Sequence, residues 1–203
     1  MKFMSASKRV VITGVGVVTP IGIGKEAFWE GLAAGRSGVT RVDDVVDLTD
    51  IPVKIGAYIR EFDPLQFMDK KRARRLGRST QLAIAATKLA LEDGRLDLDK
   101  EDRDRIGVVI GTGIGNIEAL TENYDILLQK GPGRVSPFFI PTFMPNAVVG
   151  EISIEWGLRG PNYGTVSACA SSNHALGLAA DAIRYGYAAV SYTHLTLPTN
   201  REV

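Results

Sequence analysis

Residues 106–115 read Ile106-Gly107-Val108-Val109-Ile110-Gly111-Thr112-Gly113-Ile114-Gly115, and this stretch decides the fold class. Its first half is a short apolar run rich in β-branched residues, and glycines interrupt its second half. Such a run, bounded by glycines, is typical of a strand that is covered on both faces. A strand covered on both faces requires helices on each side of its sheet. The stretch therefore predicts an α/β layered fold.

Strands and helices alternate on either side of this strand. Further strands are predicted at residues 10–13 and 163–168, with a short one near 52–58. Helices are predicted over residues 25–34, 69–93, 116–129 and 170–185, and in a stretch that ends near Trp156. This alternation again favours an α/β fold with buried strands.

The composition is that of an ordinary globular chain. It has 203 residues, of which 45% are hydrophobic and 23% charged, and 24 Lys and Arg nearly balance 23 Asp and Glu. The net charge of +1 gives no global support for binding to nucleic acid or to a membrane. No segment reaches the ~20 consecutive apolar residues that a membrane span needs.

Metal and cofactor signals are weak. The single cysteine, Cys169, excludes an internal disulfide and a Cys-based metal site, so we predict no metal. A chain without cysteine pairs also suits a reducing compartment, which predicts a cytoplasmic location. Gly111-x-Gly113-x-Gly115 lacks the full spacing of a dinucleotide-binding loop, so no cofactor is predicted.

Cys169 is the residue most suited to chemistry. It lies in Thr165-Val166-Ser167-Ala168-Cys169-Ala170-Ser171-Ser172, where a predicted strand meets a predicted helix. Small neighbours leave the thiol unshielded, and a helix N-terminus stabilises a thiolate and a developing oxyanion. The alternative is a small buried core cysteine, and position alone leaves both interpretations open.

A nucleophile normally needs a base, and the chain has two histidines, His174 and His194. His174 follows Cys169 by five residues, about 500° around the helix. It is therefore predicted to point away from the sulfur and to be structural. No residue of the sequence completes a Cys–His pair.

A run of six cations occupies residues 70–78: Lys70, Lys71, Arg72, Arg74, Arg75 and Arg78. On one helix, four of them form a narrow stripe: Lys71, Arg74, Arg75 and Arg78. The opposite side is predicted to face the core: Ala73, Leu76, Thr80, Ala83, Thr87 and Leu91. A solvated helix face is one interpretation of the stripe. Nucleic-acid binding is disfavoured because no aromatic side chains are interleaved with the cations.

Several motifs in one order make the chain resemble the β-ketoacyl-acyl-carrier-protein synthases, specifically the elongating type II. They are residues 10–16 (VVITGVG), 107–115 (GVVIGTGIG), 131–141 (GPGRVSPFFIP), 157–162 (GLRGPN) and 167–175 (SACASSNHA). The resemblance covers about residues 8–186. It implies a thiolase-like layered α/β fold, of which residues 1–186 are the N-terminal half with an incomplete sheet.

The resemblance also implies the chemistry. Cys169 would accept a fatty acyl group from acyl carrier protein. Decarboxylation of malonyl-carrier protein would then give a carbanion that attacks the acyl thioester and lengthens the chain by two carbons. Ile114 would limit the depth of the acyl pocket. Phe139 would reach into the pocket of the partner subunit of a homodimer, in which residues 163–168 pair across the two-fold axis.

The basic run has a third interpretation by this resemblance. Acyl carrier proteins are acidic. The residues that match the surface on which this family docks them are Lys71, Arg74, Arg75 and Arg134. The family often carries a second cation where Gly133 stands and an acid where Gly77 stands, so docking is expected to be weaker or differently angled.

Residues 187–203 have no counterpart in the family and resemble translated sequencing-adapter read-through, so we predict a non-native tail and exclude His194 from any mechanism. Enzymes of this family are about twice as long, and their second half supplies two histidines, a lysine and a gating phenylalanine. The chain is therefore expected to be an aggregation-prone fragment that accepts an acyl group without condensing it.

Three other functions remain open at the level of sequence. A non-catalytic partner of the chain-length-factor type would lack the nucleophile, against which Cys169 argues. A polyketide ketosynthase would use the same residues on another substrate. A cysteine hydrolase would need a base within hydrogen-bond reach of the thiol.

Overall fold

The computed structural model describes residues 9–195, with side chains for residues 9–191. The strands are β1 (Val18–Thr19), β2 (Gly22–Ile23), β3 (Thr40–Arg41), β4 (Ile55–Gly56), β5 (Ile106–Gly111), β6 (Asn162–Thr165) and β7 (Val190–Leu195). The helices are α1 (Lys25–Ala33), α2 (Lys70–Arg75), α3 (Arg78–Asp93), α4 (Ile117–Lys130), α5 (Phe139–Phe143), α6 (Ala147–Trp156) and α7 (Ser171–Arg184). Short 3-10 turns occupy Pro64–Gln66, Arg103–Arg105, Pro132–Arg134 and Ala168–Ala170.

The central sheet has three parallel strands in the order β6-β5-β7, so β5 lies in the middle. Every residue of β5 is buried, as its sequence predicts. Alternate side chains of the strand point to opposite faces. Ile106, Val108 and Ile110 pack in one cluster with α3 and α6, whereas Val109 packs with Ala175 and Ala179 of α7. Helices therefore cover both faces of the sheet, and the predicted layered α/β fold is confirmed.

Helices α3 and α6 form the larger half of the core. Six consecutive residues of α3 are buried, Leu82 to Thr87, and four of them are no larger than threonine. Their size allows α6 to approach closely, with Val148, Val149 and Ile152 in the same cluster. Thr87 can be buried because its hydroxyl donates to the carbonyl of Ala83 at 2.7 Å.

The predicted helix over residues 69–93 is two helices. Leu76 and Gly77 adopt extended backbone between α2 and α3, with ψ of 138° and 156°. A Cβ on Gly77 would lie 1.8 Å from Nδ2 of Asn116, so the absence of a side chain lets the chain pass against the β5–α4 loop. Glycine also disfavours helix continuation. Of the six residues predicted to face the core, Leu76, Thr80, Ala83 and Thr87 are buried, and Ala73 and Leu91 are half-buried.

The predicted strand at residues 10–13 is wrong for the part of the chain that the structure describes. These residues have no strand partner there, and Val11 and Ile12 are 61% and 80% exposed. The glycines that follow pack against α3 instead: a Cβ on Gly16 would lie 1.8 Å from the carbonyl oxygen of Ala86. An extended segment becomes a strand only when another strand pairs with its backbone.

Asp93, at the end of α3, holds both this N-terminal segment and the start of α1. The Asp93 carboxylate accepts the backbone N–H of Val15 at 2.9 Å and pairs with the ammonium of Lys25. The hydrogen bond from Lys25 is the main cause of a lowered pKa for Asp93, and the Val15 N–H adds to it. The hydrogen bond from Val15 thus holds the N-terminal segment at the end of α3, while the side chains of Val11 and Ile12 stay exposed.

Other predicted boundaries shift slightly. β6 ends at Thr165 rather than at residue 168, because Val166 is exposed and Ala168 lies in a turn. The strand near residues 52–58 is β4, which pairs antiparallel with β3. Within the segment predicted to be non-native, Val190–Leu195 forms β7, parallel to β5. The origin of residues 187–203 stays a prediction.

Substitution of two isoleucines should change the free energy of unfolding by very different amounts, because one lies in the buried strand and the other is exposed. Ile110→Ala removes a side chain with no exposure and should lower the free energy of unfolding by about 2–5 kcal/mol. Ile154→Ala removes the same atoms from a side chain that is 73% exposed on α6, and should change stability by less than about 0.5 kcal/mol. Urea unfolding followed by circular dichroism measures both. Equal losses would mean that β5 is not the centre of the core.

Candidate active site: the Cys169 turn and the basic helix

The turn between β6 and α7 presents Cys169 to solvent. After Thr165 the chain leaves the sheet and forms the 3-10 turn Ala168–Ala170, and α7 begins at Ser171. The thiol of Cys169 is free and its residue is exposed. The predicted position at a strand–helix junction is confirmed, and the alternative of a buried core cysteine is wrong.

The hydroxyl of Ser171 ties this turn to the central sheet. Ser171 is 2% exposed, and its Oγ accepts the N–H of Ser167 at 2.7 Å. The same hydroxyl donates toward the carbonyls of Thr112, just beyond β5, and Ala168, at 2.9 and 2.7 Å. One buried oxygen thus links both ends of the cysteine turn to the end of β5. Sequence analysis missed this role, because one of the partners, the carbonyl of Thr112, lies 59 residues away in the chain.

The backbone around the turn is tightly constrained. Ala168 has a φ of 50°, a left-handed conformation that is uncommon for a residue with a side chain. A Cβ on Gly111 would lie 2.5 Å from the carbonyl carbon of Ser171 and from the amide nitrogen of Ser172. Only glycine at the end of β5 allows α7 to begin so close to the sheet. The position of Cys169 is therefore set by backbone contacts.

His174 lies on α7 and contacts the residue that precedes the turn. Its Nδ1 forms a hydrogen bond with Oγ of Ser167 at 2.8 Å, so it has a polar partner, as the structural interpretation predicts. Among the residues that the structure describes, no hydrogen bond reaches the sulfur of Cys169. His194 is part of β7, and its side chain lies outside the described residues. No base is therefore found at the thiol within residues 9–191.

An exposed thiol at this place suits attack on a thioester. The first amides of an α-helix have no acceptor within the helix and carry partial positive charge. At the start of α7, however, the N–H of Ala170 donates to the carbonyl of Ser167, and the N–H of Ser171 donates to the carbonyl of Ala168. The observation that supports attack on a thioester is therefore the exposure of the thiol.

The two predicted acyl-pocket residues lie on elements that meet near this edge of the sheet. Ile114 is 43% exposed in the loop after β5, and Gly111 of β5 pairs with Thr165 of β6, so both carboxyl ends lead to the same edge. Phe139 begins α5 and stacks on Phe143, with ring centroids 5.6 Å apart. The carbonyl of Phe143 accepts the N–H of Asn116, so the end of α5 contacts the loop that carries Ile114.

The basic run divides into exposed and inward-facing cations. Lys70, Lys71, Arg74 and Arg75 are exposed, and they make no ion pair with any described residue. The prediction that Arg78 continues their stripe is wrong, because the break at Gly77 places it at the start of α3. Its guanidinium carbon lies 4.8 Å above the ring of Tyr58 and 5.6 Å above that of Phe62.

Arg134, the fourth predicted docking residue, is exposed in the 3-10 turn Pro132–Arg134 before α5. A shallow cleft lies between the α2–α3 junction and α5. It is lined by Arg75, Leu76, Gly77, Phe138, Pro141, Thr142 and Glu151. Arg75 is the predicted docking residue that lines this cleft, and neither Cys169 nor Ile114 lines it.

The N-terminus of α2 is capped by an acid. The Asp69 carboxylate accepts the N–H of Arg72 at 3.0 Å, and this hydrogen bond is the main cause of its lowered pKa. At the other end, the amide of Gln81 donates to the carbonyls of Ala73 and Leu76, at 2.8 and 3.0 Å. Both ends of this six-residue helix thus have polar partners that replace the missing helical ones.

The hydroxyl of Ser171 should control the reactivity of the thiol. Ser171→Ala leaves the N–H of Ser167 without its partner, which should lower the free energy of unfolding by about 1–3 kcal/mol. The loosened turn should also slow alkylation of Cys169 by iodoacetamide at pH 7 about several-fold, because the thiolate loses its fixed place at the helix end. Alkylation rates are followed by mass spectrometry.

The matched control is Ser172→Ala, the next residue on α7. Ser172 is 7% exposed, and its hydroxyl makes no hydrogen bond with the part of the chain that the structure describes. It should leave the alkylation rate close to that of the original chain. Equal rates in the two variants would show that the Ser171 hydroxyl does not position the cysteine.

Known proteins contain the same domain. The family model for the N-terminal domain of β-ketoacyl synthases matches residues 7–191. The chain is 41% identical over 181 residues to 3-oxoacyl-[acyl-carrier-protein] synthase 2 of Synechocystis sp., and 39% identical over 202 residues to the protein of the same name from Staphylococcus aureus strain COL. The first alignment includes 89% of this chain and 43% of the relative, and the second includes 96% and 49%. The chain thus spans about half the length of the curated relatives it matches.

Solved structures show the same fold. The ishigamide ketosynthase/chain length factor superposes with a TM-score of 0.82 at 27% identity, over 90% of this chain and 46% of that one. A β-ketoacyl synthase from Burkholderia phymatum gives 0.77 at 31% identity, over 89% and 45%. These matches confirm the predicted thiolase-like fold with an incomplete sheet. With residues 7–191 matched, the chain belongs to the β-ketoacyl synthase family and carries its N-terminal domain.

Proposed function

We propose that this chain is the acyl-accepting half of a 3-oxoacyl-[acyl-carrier-protein] synthase of fatty acid biosynthesis. The observation that carries the proposal is the exposed thiol of Cys169, held at the start of α7 by the buried hydroxyl of Ser171. The names and identities of the curated relatives support the substrate class. A cytoplasmic location is part of the proposal, because a free nucleophilic thiol is preserved in a reducing compartment.

The first step is transfer of an acyl group from its carrier to the enzyme. The thiolate of Cys169 attacks the thioester carbonyl of acyl-carrier protein and forms a tetrahedral intermediate. Collapse of this intermediate breaks the bond to the carrier's sulfur. The carrier thiolate leaves and takes a proton from solvent, and the acyl group stays on Cys169 as a new thioester.

The second step needs groups beyond those described here. Malonyl-carrier protein loses carbon dioxide, and the electron pair of the broken C–C bond forms a carbanion that attacks the Cys169 thioester. The Cys169 thiolate is then released, and the product is 3-oxoacyl-carrier protein. His174 bonds to Ser167, and no second histidine has a described side chain. We therefore assign the decarboxylation groups to the half of the relatives that this chain does not match.

The exposed cations of α2 support an acyl carrier protein as the partner. Lys71, Arg74 and Arg75 lie on one short helix without acidic partners among the described residues, and Arg134 adds a fourth exposed cation. An acidic carrier would meet a surface of opposite charge, which speeds encounter and orients the carrier. We further propose that two copies assemble as a homodimer in which Phe139 of one protomer reaches the acyl pocket of its partner.

A polyketide ketosynthase is the second candidate. The observation that favours it is structural similarity to the ishigamide ketosynthase/chain length factor. Sequence identity is higher to the 3-oxoacyl-carrier-protein synthases, 41% against 27%, so we favour fatty acid synthesis. A non-catalytic chain-length-factor-like role is disfavoured by the exposed thiol of Cys169.

Incubation with a saturated acyl-carrier protein tests the first step. The 203-residue chain should gain the mass of one acyl group, and peptide mapping should place it on Cys169. Cys169→Ala should gain nothing. Adding malonyl-carrier protein should give no 3-oxoacyl product from this chain, because no side chain described for residues 9–191 supplies the decarboxylation groups. Release of free fatty acid without a stable adduct would indicate a hydrolase, and no adduct at all would indicate a non-catalytic partner.

Charge reversal on α2 tests whether acyl-carrier protein docks on this helix. Lys71→Glu with Arg74→Glu should weaken binding of acyl-carrier protein at least about tenfold, chiefly by slowing association, and should make binding less sensitive to salt. Arg184→Glu is the control, since it reverses an exposed charge on α7 that pairs with Asp181. Surface plasmon resonance at two salt concentrations measures the rates. Equal effects of the α2 and α7 reversals would remove the docking surface from the proposal.

A further inference from the structure

Arg72 is a cation of α2 that the docking surface does not use, and it is held by two acids. Its guanidinium pairs with the carboxylates of Glu151, at 3.2 Å, and Glu155, both on α6. It also donates to the carbonyl oxygen of Glu151 at 3.2 Å. The side chains are 17%, 22% and 30% exposed, so the cluster is largely withdrawn from water. A guanidinium that bridges two carboxylates in this way, here called the Arg72 clamp, fixes geometry as well as charge.

Helix α2 has few other attachments to the rest of the molecule. It is six residues long, too short to be stable alone, and none of its own residues is buried. The buried residue next to it is Leu76, which follows the helix. The extended backbone at Gly77 separates it mechanically from α3. Its orientation therefore depends on the Asp69 cap, the Gln81 amide and the Arg72 clamp.

We propose that Arg72 is a positioning residue for carrier-protein docking: through Glu151 and Glu155 it fixes α2 to α6, so that Lys71, Arg74 and Arg75 face the carrier in one orientation. This inference rests on the proposed function, because it concerns the same docking surface. It assigns different tasks to cations of a single helix. The exposed ones contact the acidic partner, and the inward one contacts the protein's own acids.

The effect of Glu155→Gln on carrier binding has one sign if Arg72 positions α2 and the opposite sign if only long-range electrostatics matter. The substitution removes a negative charge from the vicinity of a basic surface, so long-range attraction alone predicts tighter binding of an acidic carrier. Loss of the clamp predicts the opposite, because α2 must then be ordered when the carrier binds. We expect the dissociation constant for acyl-carrier protein to rise about three- to tenfold, mainly through faster dissociation.

Two further variants keep the test independent of folding. Asp181→Asn removes an acid from an exposed ion pair on α7 and should leave carrier binding unchanged. Arg72→Gln removes the clamp from its other end and should match or exceed the effect of Glu155→Gln, with the salt dependence of binding retained because the docking cations are intact. Circular dichroism confirms that each variant is folded before binding is measured.

Hydrogen exchange measures how the Arg72 clamp protects the backbone of α2 in the absence of a carrier protein. The N–H groups of Ala73 and Leu76 bond to the carbonyls of Asp69 and Arg72, and in Glu155→Gln they should exchange faster while those of α3 do not. Faster exchange in α2 together with weaker carrier binding supports the proposal. Unchanged exchange, or tighter binding, overturns it.

The same pair of measurements separates this inference from the proposed function. If exchange in α2 rises but neither Glu155→Gln nor reversal of Lys71 and Arg74 alters carrier binding, the docking surface itself is wrong, and Arg72 is not a positioning residue for docking. If the reversal weakens binding and Glu155→Gln does not, the surface stands and the positioning role is overturned.

Discussion

The close approach of α7 to the end of β5 is the contact on which the rest of the site depends. Gly111 leaves room for the backbone of Ser171 and Ser172, where a Cβ would come within 2.5 Å of both. Once the two backbones touch, the Ser171 hydroxyl reaches Ser167 and Thr112. The cysteine turn is then held between a buried strand and the start of α7.

The same arrangement explains how a cysteine can be exposed and still precisely placed. Its neighbours in the turn carry small side chains, so solvent and substrate reach the sulfur. The turn is nevertheless rigid, because its ends bond to buried groups and Ala168 is kept in a left-handed conformation. Strain of this kind persists only where surrounding contacts determine the backbone. Exposure therefore comes from side-chain size and precision comes from backbone contacts.

The basic helix shows how one run of cations serves two purposes. Arg72 and Arg78 point inward, to Glu151 and Glu155 and to aromatic rings respectively. Desolvating them is compensated by paired charge or by a ring face. The remaining four cations stay in water without acidic partners among the described residues, which leaves their charge available to a partner. Six charges in nine positions thus form both a clamp and a docking surface.

The sequence by itself determined the layered α/β class, the buried strand at residues 106–110 and the junction that carries Cys169. These follow from local signals, because apolar runs and glycines constrain the backbone wherever they occur. The tertiary structure alone decided that residues 10–13 stay unpaired, that the basic helix breaks at Gly77 and that Arg72 and Ser171 have positioning contacts. A strand, a break and a buried hydrogen bond each need a partner that is distant in the chain: Asn116 for Gly77, Glu151 for Arg72 and Thr112 for Ser171. No local pattern encodes which distant residue that partner is.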